Sequence, residues 1–298
     1  MTYWRTILLA TAACSLTACG GGGGGGLAST PPPPPPPPPQ GSTAVEIFQS
    51  PASQEFATIG SGDTLRIRYD AGSGLYEVMP GAQGWKTLID DPSSSGTAGQ
   101  PNQSFVFAGG GTNGSYFVLH GHYRSADTNY KYQYSNLASW GKQDGGVQLV
   151  GQHVAFGMAT PTAAIPVTGA ATYNGMIVGT SSEKVDNSGE AISSGYITGS
   201  INLAFNIGGG TLSGSISPIV NLGDSRALGT LAFTNTVYSA GSTSFSGKFD
   251  TPISGLNAFS GLFTGPKANE LIGKFAFPYT SPFDGKVAQA TGAFIGKR

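Results

Sequence analysis

The chain has 298 residues, of which 47 are Gly and 20 are Pro, while charged residues make up only 10%. Such a Gly content argues against a helical protein, since each interior Gly costs a helix about 1 kcal/mol relative to Ala. The formal net charge is −1, with 15 basic and 16 acidic residues. This balance lacks the excess of positive charge that binds nucleic acid or an anionic membrane, so we expect no nucleic-acid partner. From the Gly content we expect an all-β protein.

Residues 1–18 have the pattern of a secretory signal peptide. Arg5 provides a positive charge, and the apolar stretch Ile7–Ala13 is shorter than the roughly 20 apolar residues that span a bilayer. The sequence Leu16-Thr17-Ala18-Cys19 then resembles the lipobox of bacterial lipoproteins, in which the Cys is acylated and becomes the N-terminus. The resemblance implies anchoring through Cys19 by several acyl chains such as palmitate. An ordinary signal peptide that ends near a Cys is the alternative.

Residues 19–43 are predicted to form a lipidated tether. Cys14 leaves with the signal peptide, so the mature chain keeps a single Cys and no intramolecular disulfide is possible. Gly20–Gly26 is expected to behave as a flexible coil, and Pro31–Pro39 as a stiff polyproline II rod of about 28 Å. We interpret the pair as a swivel and a spacer; a Pro-rich ligand for an SH3-like domain is the less favoured alternative.

From Ala44 onward, apolar residues alternate with period two in short segments that are bounded by Gly, Asn, Asp, Ser and Pro. This is the pattern of β-strands, and no segment shows a sustained helical period. Residues 44–155 therefore read as a β-rich domain. Its clearest strand candidates are Thr64–Tyr69, Gly74–Met79, Ser104–Ala108, Ser115–His120, Asn129–Tyr134 and Val147–Phe156, with a long polar loop over Asp90–Gln103.

Residues 156–298 show a more regular pattern. Eight strand candidates follow one another without crossover helices, which predicts an antiparallel up-and-down β-barrel. They are Ala171–Gly179, Gly195–Phe205, Gly210–Ser217, Ala227–Thr234, Thr243–Asp250, Asn257–Thr264, Glu270–Pro278 and Lys286–Lys297.

Most of these strands contain a large apolar residue, then Gly two positions on, then another large apolar residue. Side chains alternate along a strand, so the three share one face, and a Gly on the inward face leaves room for a bulky side chain from across the barrel. Outward positions carry polar residues, an alternation opposite to that of a transmembrane barrel, which predicts a soluble barrel. The triplets include Tyr173-Gly175-Ile177, Ile197-Gly199-Ile201, Leu212-Gly214-Ile216, Phe245-Gly247-Phe249, Phe259-Gly261-Phe263 and Leu271-Gly273-Phe275; outward residues include Thr198, Ser200, Asn202, Ser246 and Lys248.

Two segments resemble transferrin-binding protein B-like bacterial lipoproteins. Phe156–Gly175 looks like the start of their barrel, and Phe259–Phe275 has their strand, Gly-Pro turn, Ala-x-Glu and strand. The resemblance implies a lobe with a β-rich handle domain over 44–155 and an eight-stranded barrel domain over 156–298. It also implies an outer-membrane, cell-surface location, with which Gly20 after the lipid-bearing Cys is consistent; a periplasmic face is the alternative. Transferrin-binding protein B has two lobes and this chain has length for one, so transferrin recognition is not carried over.

The sequence contains no catalytic arrangement, so we expect no enzyme activity, no cofactor and no metal. His120 and His122 lie on one face of a strand, but they lack a clear third ligand apart from the nearby Asp127. Gly109–Gly114 matches the glycine spacing of a dinucleotide-binding loop, but a strand rather than a helix follows it, which predicts a hairpin. His153, in an apolar strand, is expected to be a satisfied structural residue.

Two further acidic sites are read as structural. Asp90-Asp91 is favoured as a solvated loop over a Ca²⁺ site. Glu270 follows the Gly-Pro turn and is expected to pair with Lys267 or to accept hydrogen bonds from backbone N–H groups of the turn.

The strongest binding candidates are aromatic residues of the handle. Tyr and Trp are enriched at interfaces, although handle-core and cross-strand packing is the favoured explanation for such a set. We expect a non-catalytic, monomeric outer-membrane lipoprotein that binds a protein or a haem carrier, with a role in host-protein, iron or haem acquisition. The alternative is a solute-binding protein that uses the barrel lumen or a handle–barrel cleft. The candidate residues are Tyr123, Tyr130, Tyr132, Tyr134 and Trp140.

Overall fold

The structure is a computed structural model that describes residues 53–62, 65–81, 84–90, 102–110, 113–120, 132–144, 147–185 and 193–298. Among these residues, the one helical segment is a 3-10 turn at Thr162–Ala164, and no helix is long and apolar enough to cross a membrane. The strands are β1 (Gln54–Glu55), β2 (Ala57–Gly60), β3 (Leu65–Asp70), β4 (Leu75–Pro80), β5 (Lys86–Thr87), β6 (Ile89–Asp90), β7 (Asn102–Gly110), β8 (Asn113–His120), β9 (Ser135–Asp144), β10 (Val147–Gly157), β11 (Ala170–Val185), β12 (Ser193–Asn206), β13 (Thr211–Asn221), β14 (Ser225–Ala227), β15 (Leu231–Val237), β16 (Ser244–Phe249), β17 (Ala258–Thr264), β18 (Glu270–Thr280) and β19 (Val287–Lys297).

Strands β1 to β10 form two antiparallel sheets where the handle is predicted, and we refer to them as the handle. One sheet has the order β1-β3-β4-β5 and the other β2-β10-β9-β8-β7-β6. The period-two pattern explains the core between them: in β3, Leu65 and Ile67 are buried while Arg66 between them is exposed. Trp140 and Phe156 of the second sheet pack in the same core. The two sheets therefore share one hydrophobic layer.

One predicted handle strand is wrong in the described residues. Asn129–Tyr134 was expected to be a strand, but Tyr132–Tyr134 lies outside any strand and β9 begins only at Ser135. The physical reason is that the backbone N–H groups of Gln133 and Tyr134 bind the side chain of Glu270 rather than a neighbouring strand. Residues 129–131 lie outside the described part.

The Gly-rich segment before β8 is a hairpin, as predicted. Gly109 pairs with Gly114, and Gly110 pairs with Asn113, in an antiparallel ladder between β7 and β8. A strand follows the glycines, so this segment has no helix N-terminus that would hold a pyrophosphate. Of the predicted polar loop 90–103, Asp90 belongs to β6 and residues 102–103 belong to β7, while residues 91–101 lie outside the described part.

A closed antiparallel barrel follows the handle and confirms the predicted fold class. In the described residues, eight strands run in the order β11-β12-β13-β15-β16-β17-β18-β19, and β19 pairs back with β11. The predicted strand Ala227–Thr234 is divided between β14, an extra edge strand on β13, and β15. Gly229 lies in that break with φ +81°, in the left-handed region that a glycine adopts without strain.

The apolar-Gly-apolar triplets face the barrel interior, as predicted, but the rings over their glycines have a different origin. In register, Gly273 pairs with Phe294 of the adjacent strand, and Gly247 pairs with Phe259. A Cβ atom added to Gly273 would lie 2.1 Å from Cζ of Phe294. The aromatic ring thus comes from the neighbouring strand and lies over the glycine, not from across the barrel.

The barrel interior is filled by an aromatic core. Phe205 contacts Tyr238 and Phe263 with ring centroids 5.0 Å apart, and Phe233 lies 4.4 Å from Phe259. Apolar residues from all eight strands of the barrel belong to or pack against this cluster. The interior is therefore a packed core, in keeping with the small lumen of an eight-stranded barrel.

The outward face of the barrel is only partly polar, which corrects the prediction for one sector. Ser200 and Lys248 are exposed, as expected. On β11, β18 and β19, however, outward residues such as Ile272 and Ile295 are buried, and Leu262 of β17 is half-buried. They pack against Leu137 of the handle, so the six-stranded sheet covers this sector. The members of the buried sector and of the sheet that covers it are Val178, Ile272, Ala293, Ile295, Met176 and Leu262 on the barrel, and Ala57, Ile59, Tyr132, Leu137 and Ala155 on the handle.

Candidate functional site

Three of the five aromatic residues predicted to bind a partner lie in the described residues. Trp140 is buried in the handle core, and Tyr132 is buried where the handle meets the barrel. Tyr134 is half-buried, with its ring against the turn that follows β17. Tyr123 and Tyr130 lie outside the described part. The three described rings thus contribute to packing, and a partner-binding role for the set stays a prediction.

Glu270 joins the barrel to the handle. Its side chain is 4% exposed; Oε1 accepts a hydrogen bond from the Gln133 N–H at 2.7 Å, and Oε2 accepts one from the Tyr134 N–H at 3.0 Å. The expected role as an acceptor for backbone N–H groups is confirmed, but these groups belong to the handle and not to the adjacent turn. Lys267 forms no ion pair with a carboxylate among the described residues.

The environment of Glu270 has opposing electrostatic effects. Burial raises the pKa of its carboxyl group, while the two backbone donors, the Ser135 side chain and the charge of Lys297 act to lower it. The same donors compensate the desolvation of the carboxylate, because a buried polar group costs free energy unless it is hydrogen-bonded. The buried carboxylate of Glu270 therefore stabilises the junction only while these donors remain in place to compensate for its desolvation.

The Gly-Pro turn beside Glu270 is tied down on both sides. Thr160 Oγ1 donates a hydrogen bond to the Gly265 carbonyl at 2.7 Å, and Ser135 Oγ lies 2.5 Å from Thr264 Oγ1. These contacts connect the segment after β10 and the start of β9 to the end of β17 and the turn that follows it. Because all four residues are buried, the turn belongs to the handle–barrel junction and is not a free surface loop.

The same turn contains a residue in an unusual backbone conformation. Ala268 has φ +52°, which L-residues other than Asn and Asp rarely adopt. The Tyr173 hydroxyl donates a hydrogen bond to its carbonyl at 2.6 Å and accepts one from Arg298 Nε at 3.1 Å. A buried tyrosine of the barrel thus holds the turn through the carbonyl of Ala268. Ala268 and Glu270 of the Ala-x-Glu pattern are therefore both fixed by hydrogen bonds.

His153 is a second polar contact across the junction. It lies on β10 and is 3% exposed, with Nδ1 2.7 Å from Ser139 Oγ of the handle and Nε2 2.8 Å from Thr180 Oγ1 of the barrel. Both ring nitrogens therefore have hydrogen-bond partners, which confirms the expectation of a satisfied structural histidine. Burial lowers the pKa of His153 to about 4.

Protonation of His153 is expected to destabilise the fold below pH 6.5. Its pKa is about 4 in the fold, against 6.5 for an unperturbed histidine, so the unfolded chain takes up the proton first as the pH falls. The free energy of unfolding should therefore lose up to about 3 kcal/mol between pH 6.5 and 4 through this group. Glu270 acts in the opposite sense, because a raised pKa contributes stability at low pH that is lost as the pH rises.

The test compares the wild type with His153→Gln by denaturant unfolding from pH 7 to pH 4. The variant keeps Glu270, so the stability difference between the two proteins isolates the histidine. We expect that difference to narrow or reverse as the pH falls. A difference that stays constant over the whole range would show that His153 is not buried as a neutral group.

A cleft of about 680 Å³ lies between the handle and the outer wall of the barrel. Residues 60–62, at the end of β2 and just after it, form the handle side, and strands β15 to β19 form the barrel side. Ser246 pairs with Ser260, which pairs with Lys274, so this row of outward residues crosses three strands. The barrel residues that line the cleft are Asn235, Val237, Ser246, Gly247, Lys248, Leu256, Ala258, Phe259, Ser260, Lys274, Phe275, Ala276 and Thr291.

A smaller pocket of about 190 Å³ adjoins the cleft on its handle side. The two spaces share Gly60, Gly62 and Lys274 as lining residues. The amide group of Gln152 lies against Gly62, and its Oε1 is buried without a hydrogen-bond partner among the described residues. Such an acceptor is costly to leave unpaired, but Gln152 itself lines neither of the two spaces.

A third feature, which sequence reasoning missed, is a cation–aromatic cluster on the four-stranded sheet of the handle. The guanidinium carbon of Arg68 lies 4.3 Å from the ring centroid of Trp85, and that of Arg66 lies 5.2 Å from it. Arg66 also forms an ion pair with Glu55 at 2.5 Å, and Arg68 one with Glu77 at 2.5 Å. The alternating Leu65-Arg66-Ile67-Arg68 pattern was a signal that two arginines share the outer face.

The described residues contain no set of three side chains arranged to hold a metal ion. His120 ends β8, while His122 and Asp127 lie outside the described part. A polar cluster of the barrel links Tyr279, Ser181 and Glu183, and the Tyr279 hydroxyl donates to Glu183. Burial and this hydrogen bond raise the pKa of Tyr279, so the phenol stays protonated and the cluster acts as a structural network.

Comparison with known families identifies the barrel. The family described as C-lobe and N-lobe beta barrels of Tf-binding protein B matches residues 165–298. Residues 165–298 therefore form a transferrin-binding protein B-like barrel, in agreement with the resemblance found in the sequence. No match was found among the curated proteins.

Solved structures show similarity over most of the chain. A double mutant of Transferrin Binding Protein B from Haemophilus parasuis Hp5 has 17% identity and a TM-score of 0.45, over 79% of this chain and 50% of that one. A mutant of the Actinobacillus pleuropneumoniae H49 protein has 12% identity and a TM-score of 0.36, over 81% and 98%. A surface lipoprotein has 13% identity and a TM-score of 0.33, over 83% and 100%. The chain thus spans half the length of the Haemophilus parasuis protein.

Proposed function

Since residues 165–298 form a barrel of the transferrin-binding protein B type, we propose that the chain is a non-catalytic lipoprotein that binds a macromolecular partner at the cell surface. It is anchored in the outer membrane through Cys19, at the end of the lipobox-like sequence, and the tether over residues 19–43 holds it away from the membrane. The partner is a protein or a haem carrier, and the chain acts as a monomer in the acquisition of host protein, iron or haem.

The observation that supports this proposal is that the barrel interior is filled and that the handle packs against the outside of the barrel. The barrel core is packed with aromatic rings, so a ligand has to bind on the outer surface of the protein. The apolar sector and Glu270 hold the handle against the barrel. A surface composed of two firmly joined parts suits a large partner, because little ordering entropy is lost when pre-organised surfaces associate.

We place the partner-binding surface on the four-stranded sheet of the handle, at the Trp85 cluster. Trp and Arg are the residue types most enriched among binding hot spots. Trp85, Arg66 and Arg68 are only partly covered, and the ion pairs with Glu55 and Glu77 hold the guanidinium groups in place. The cluster therefore offers a pre-ordered ring and two cations.

The test uses residues 44–298 immobilised on a biosensor surface, with host serum proteins and haem carriers as analytes. We expect saturable binding of one discrete partner, and Trp85→Ala should weaken it by about tenfold or more, as truncation of a hot spot does. Arg226→Ala is the matched control, because Arg226 stacks on Phe283 of the barrel in a similar pair. Equal affinity of the Trp85→Ala and wild-type proteins would contradict the assigned surface, and a lack of any saturable analyte would contradict the function.

Solute binding is a second candidate function, and it is favoured by the cleft between handle and barrel. The lumen is not a suitable place for a solute, because Phe205, Phe245 and Phe263 occupy the interior. The cleft has a volume within the range of about 300–1,000 Å³ that is usual for small-molecule sites. Its chemistry indicates what kind of solute would fit.

A further inference from the structure

The cleft and its adjoining pocket form one elongated site with two different ends. The small inner pocket lies on the handle side, and Thr58 and His153 are the polar handle residues of its lining. The larger outer cleft has a mainly apolar wall. Because the spaces share Gly60, Gly62 and Lys274, a ligand with a polar head and an apolar body can occupy both.

The apolar end of the site exposes two large hydrophobic side chains to solvent. Leu256 is 62% exposed and Val237 is 65% exposed, and both line the cleft. Large apolar side chains that share an exposed groove indicate a binding surface, whereas single exposed ones need no explanation. Ala258 and Ala276 are paired directly across β17 and β18 and form a shallow wall between them.

The charge of the site has one sign. Lys274 lies where the inner pocket meets the cleft, and Lys248 lines the outer cleft. The lining residues of the two spaces include no Asp or Glu, and neither lysine forms an ion pair with a carboxylate in the described part of the chain. Two cations beside an apolar wall favour an anionic group on the ligand.

We propose that this site binds a free long-chain carboxylate, with its head at Lys274 and its hydrocarbon chain along the outer cleft. The ammonium group of Lys274 pairs with the carboxylate, a charge-assisted contact that is stronger than a neutral hydrogen bond. The chain covers Leu256 and Val237, which removes apolar surface from water.

The proposal gives a ligand class to the solute-binding candidate and is independent of the partner-binding surface. The Trp85 cluster lies on the four-stranded sheet of the handle, and none of its residues lines the cleft or the pocket. Loss of carboxylate binding would therefore leave the partner-binding proposal standing, and loss of partner binding in Trp85→Ala would leave carboxylate binding intact.

The experiment is calorimetric titration of residues 44–298 with laurate, below the concentration at which it forms micelles. Dodecyltrimethylammonium, which has the same chain length and the opposite charge, is the matched probe. We expect one laurate per chain and at least about tenfold weaker binding of the cation. Lys274→Met should weaken laurate binding by about tenfold or more, in line with the loss of a charged hydrogen-bond partner.

Two further variants separate the possible outcomes. Lys267→Met removes an exposed lysine of the turn before β18 and should leave laurate affinity unchanged. Ala258→Trp, at an exposed position on the cleft wall, should fill the cleft and abolish binding while the unfolding midpoint stays close to that of the wild type. Equal affinity for the two surfactants, unchanged affinity in Lys274→Met, or binding to anionic lipid vesicles but not to free laurate would each overturn the proposal.

Discussion

Replacing Glu270 with Ala is expected to lower the free energy of unfolding of residues 44–298 by about 3 kcal/mol. The substitution leaves the partly buried N–H groups of Gln133 and Tyr134 without their acceptor, and an unsatisfied buried donor costs about 1–3 kcal/mol. Water that enters the space left by the side chain reduces this cost. Denaturant unfolding at pH 7, followed by tryptophan fluorescence and by circular dichroism, measures the change.

Two other substitutions make the result specific. Glu270→Gln keeps one oxygen acceptor but turns an amide N–H toward the other donor, so we expect a loss of about 1–2 kcal/mol. Lys267→Ala, in the same turn, removes a side chain that forms no ion pair in the described residues and should change stability by less than about 0.5 kcal/mol. If Glu270→Ala is as stable as Lys267→Ala, the carboxylate does not hold the handle to the barrel.

Replacing Gly273 with Ala is expected to cost the barrel about 2–3 kcal/mol. The new methyl group would lie 2.1 Å from the Phe294 ring at a fully buried position, so the ring or the strand has to move, and overpacking of this kind costs about 1–3 kcal/mol. Phe294→Ala alone should cost about 3–5 kcal/mol, because it leaves a cavity in the core. The double variant should be more stable than the sum of the single effects by about 1–2 kcal/mol, since the methyl group then has room.

Gly84→Ala is the matched control for Gly273→Ala. A Cβ atom at Gly84 meets nothing within 4 Å, and no left-handed backbone angle is recorded there. We expect no more than about 0.5 kcal/mol of change at this position. Strict additivity of Gly273→Ala and Phe294→Ala would show that the ring and the glycine are not coupled, and would contradict the cross-strand arrangement.

Most of the barrel was predictable because its signal is local. The triplets repeat a period-two pattern with a central Gly, and both apolar residues of each face the interior, as in Phe245-Gly247-Phe249. Strand number, order and inward face follow from this repetition. The position of the rings was not predictable, because the pairing of Gly273 with Phe294 depends on the register between two strands and not on the pattern within either.

The handle–barrel junction was predicted less well because its contacts are long-range. The partners of Glu270 lie 136 and 137 residues away, so the sequence around the turn indicates a capping role but not the groups that are capped. For the same reason a strand was wrongly expected up to Tyr134, where the backbone turns its N–H groups to the carboxylate. One signal was present: Ile272 and Ile295 are apolar at positions where outward residues were expected to be polar.

The candidate sites differ in how far the sequence indicates them. The arginines beside Trp85 could be placed on one face from strand alternation, but Trp85 reaches them from outside that strand. The cleft depends on where Gly60–Gly62 meets β15–β18, a contact between segments some 170 or more residues apart in the chain, which no local pattern encodes. Tyr132 and Trp140 were selected by residue type, and their burial shows that composition alone does not separate packing from recognition.

We propose that handle and barrel are displayed together outside the cell on a lipid anchor at Cys19. The most direct measurement is flow cytometry of intact cells with an antibody raised against residues 44–298, for the wild type and for Cys19→Ala. We expect the wild-type cells to be labelled without permeabilisation, and the Cys19→Ala cells to lose the label because the unanchored chain does not stay at the membrane. Labelling of wild-type cells only after permeabilisation, or equal labelling of the two strains, would contradict the claim.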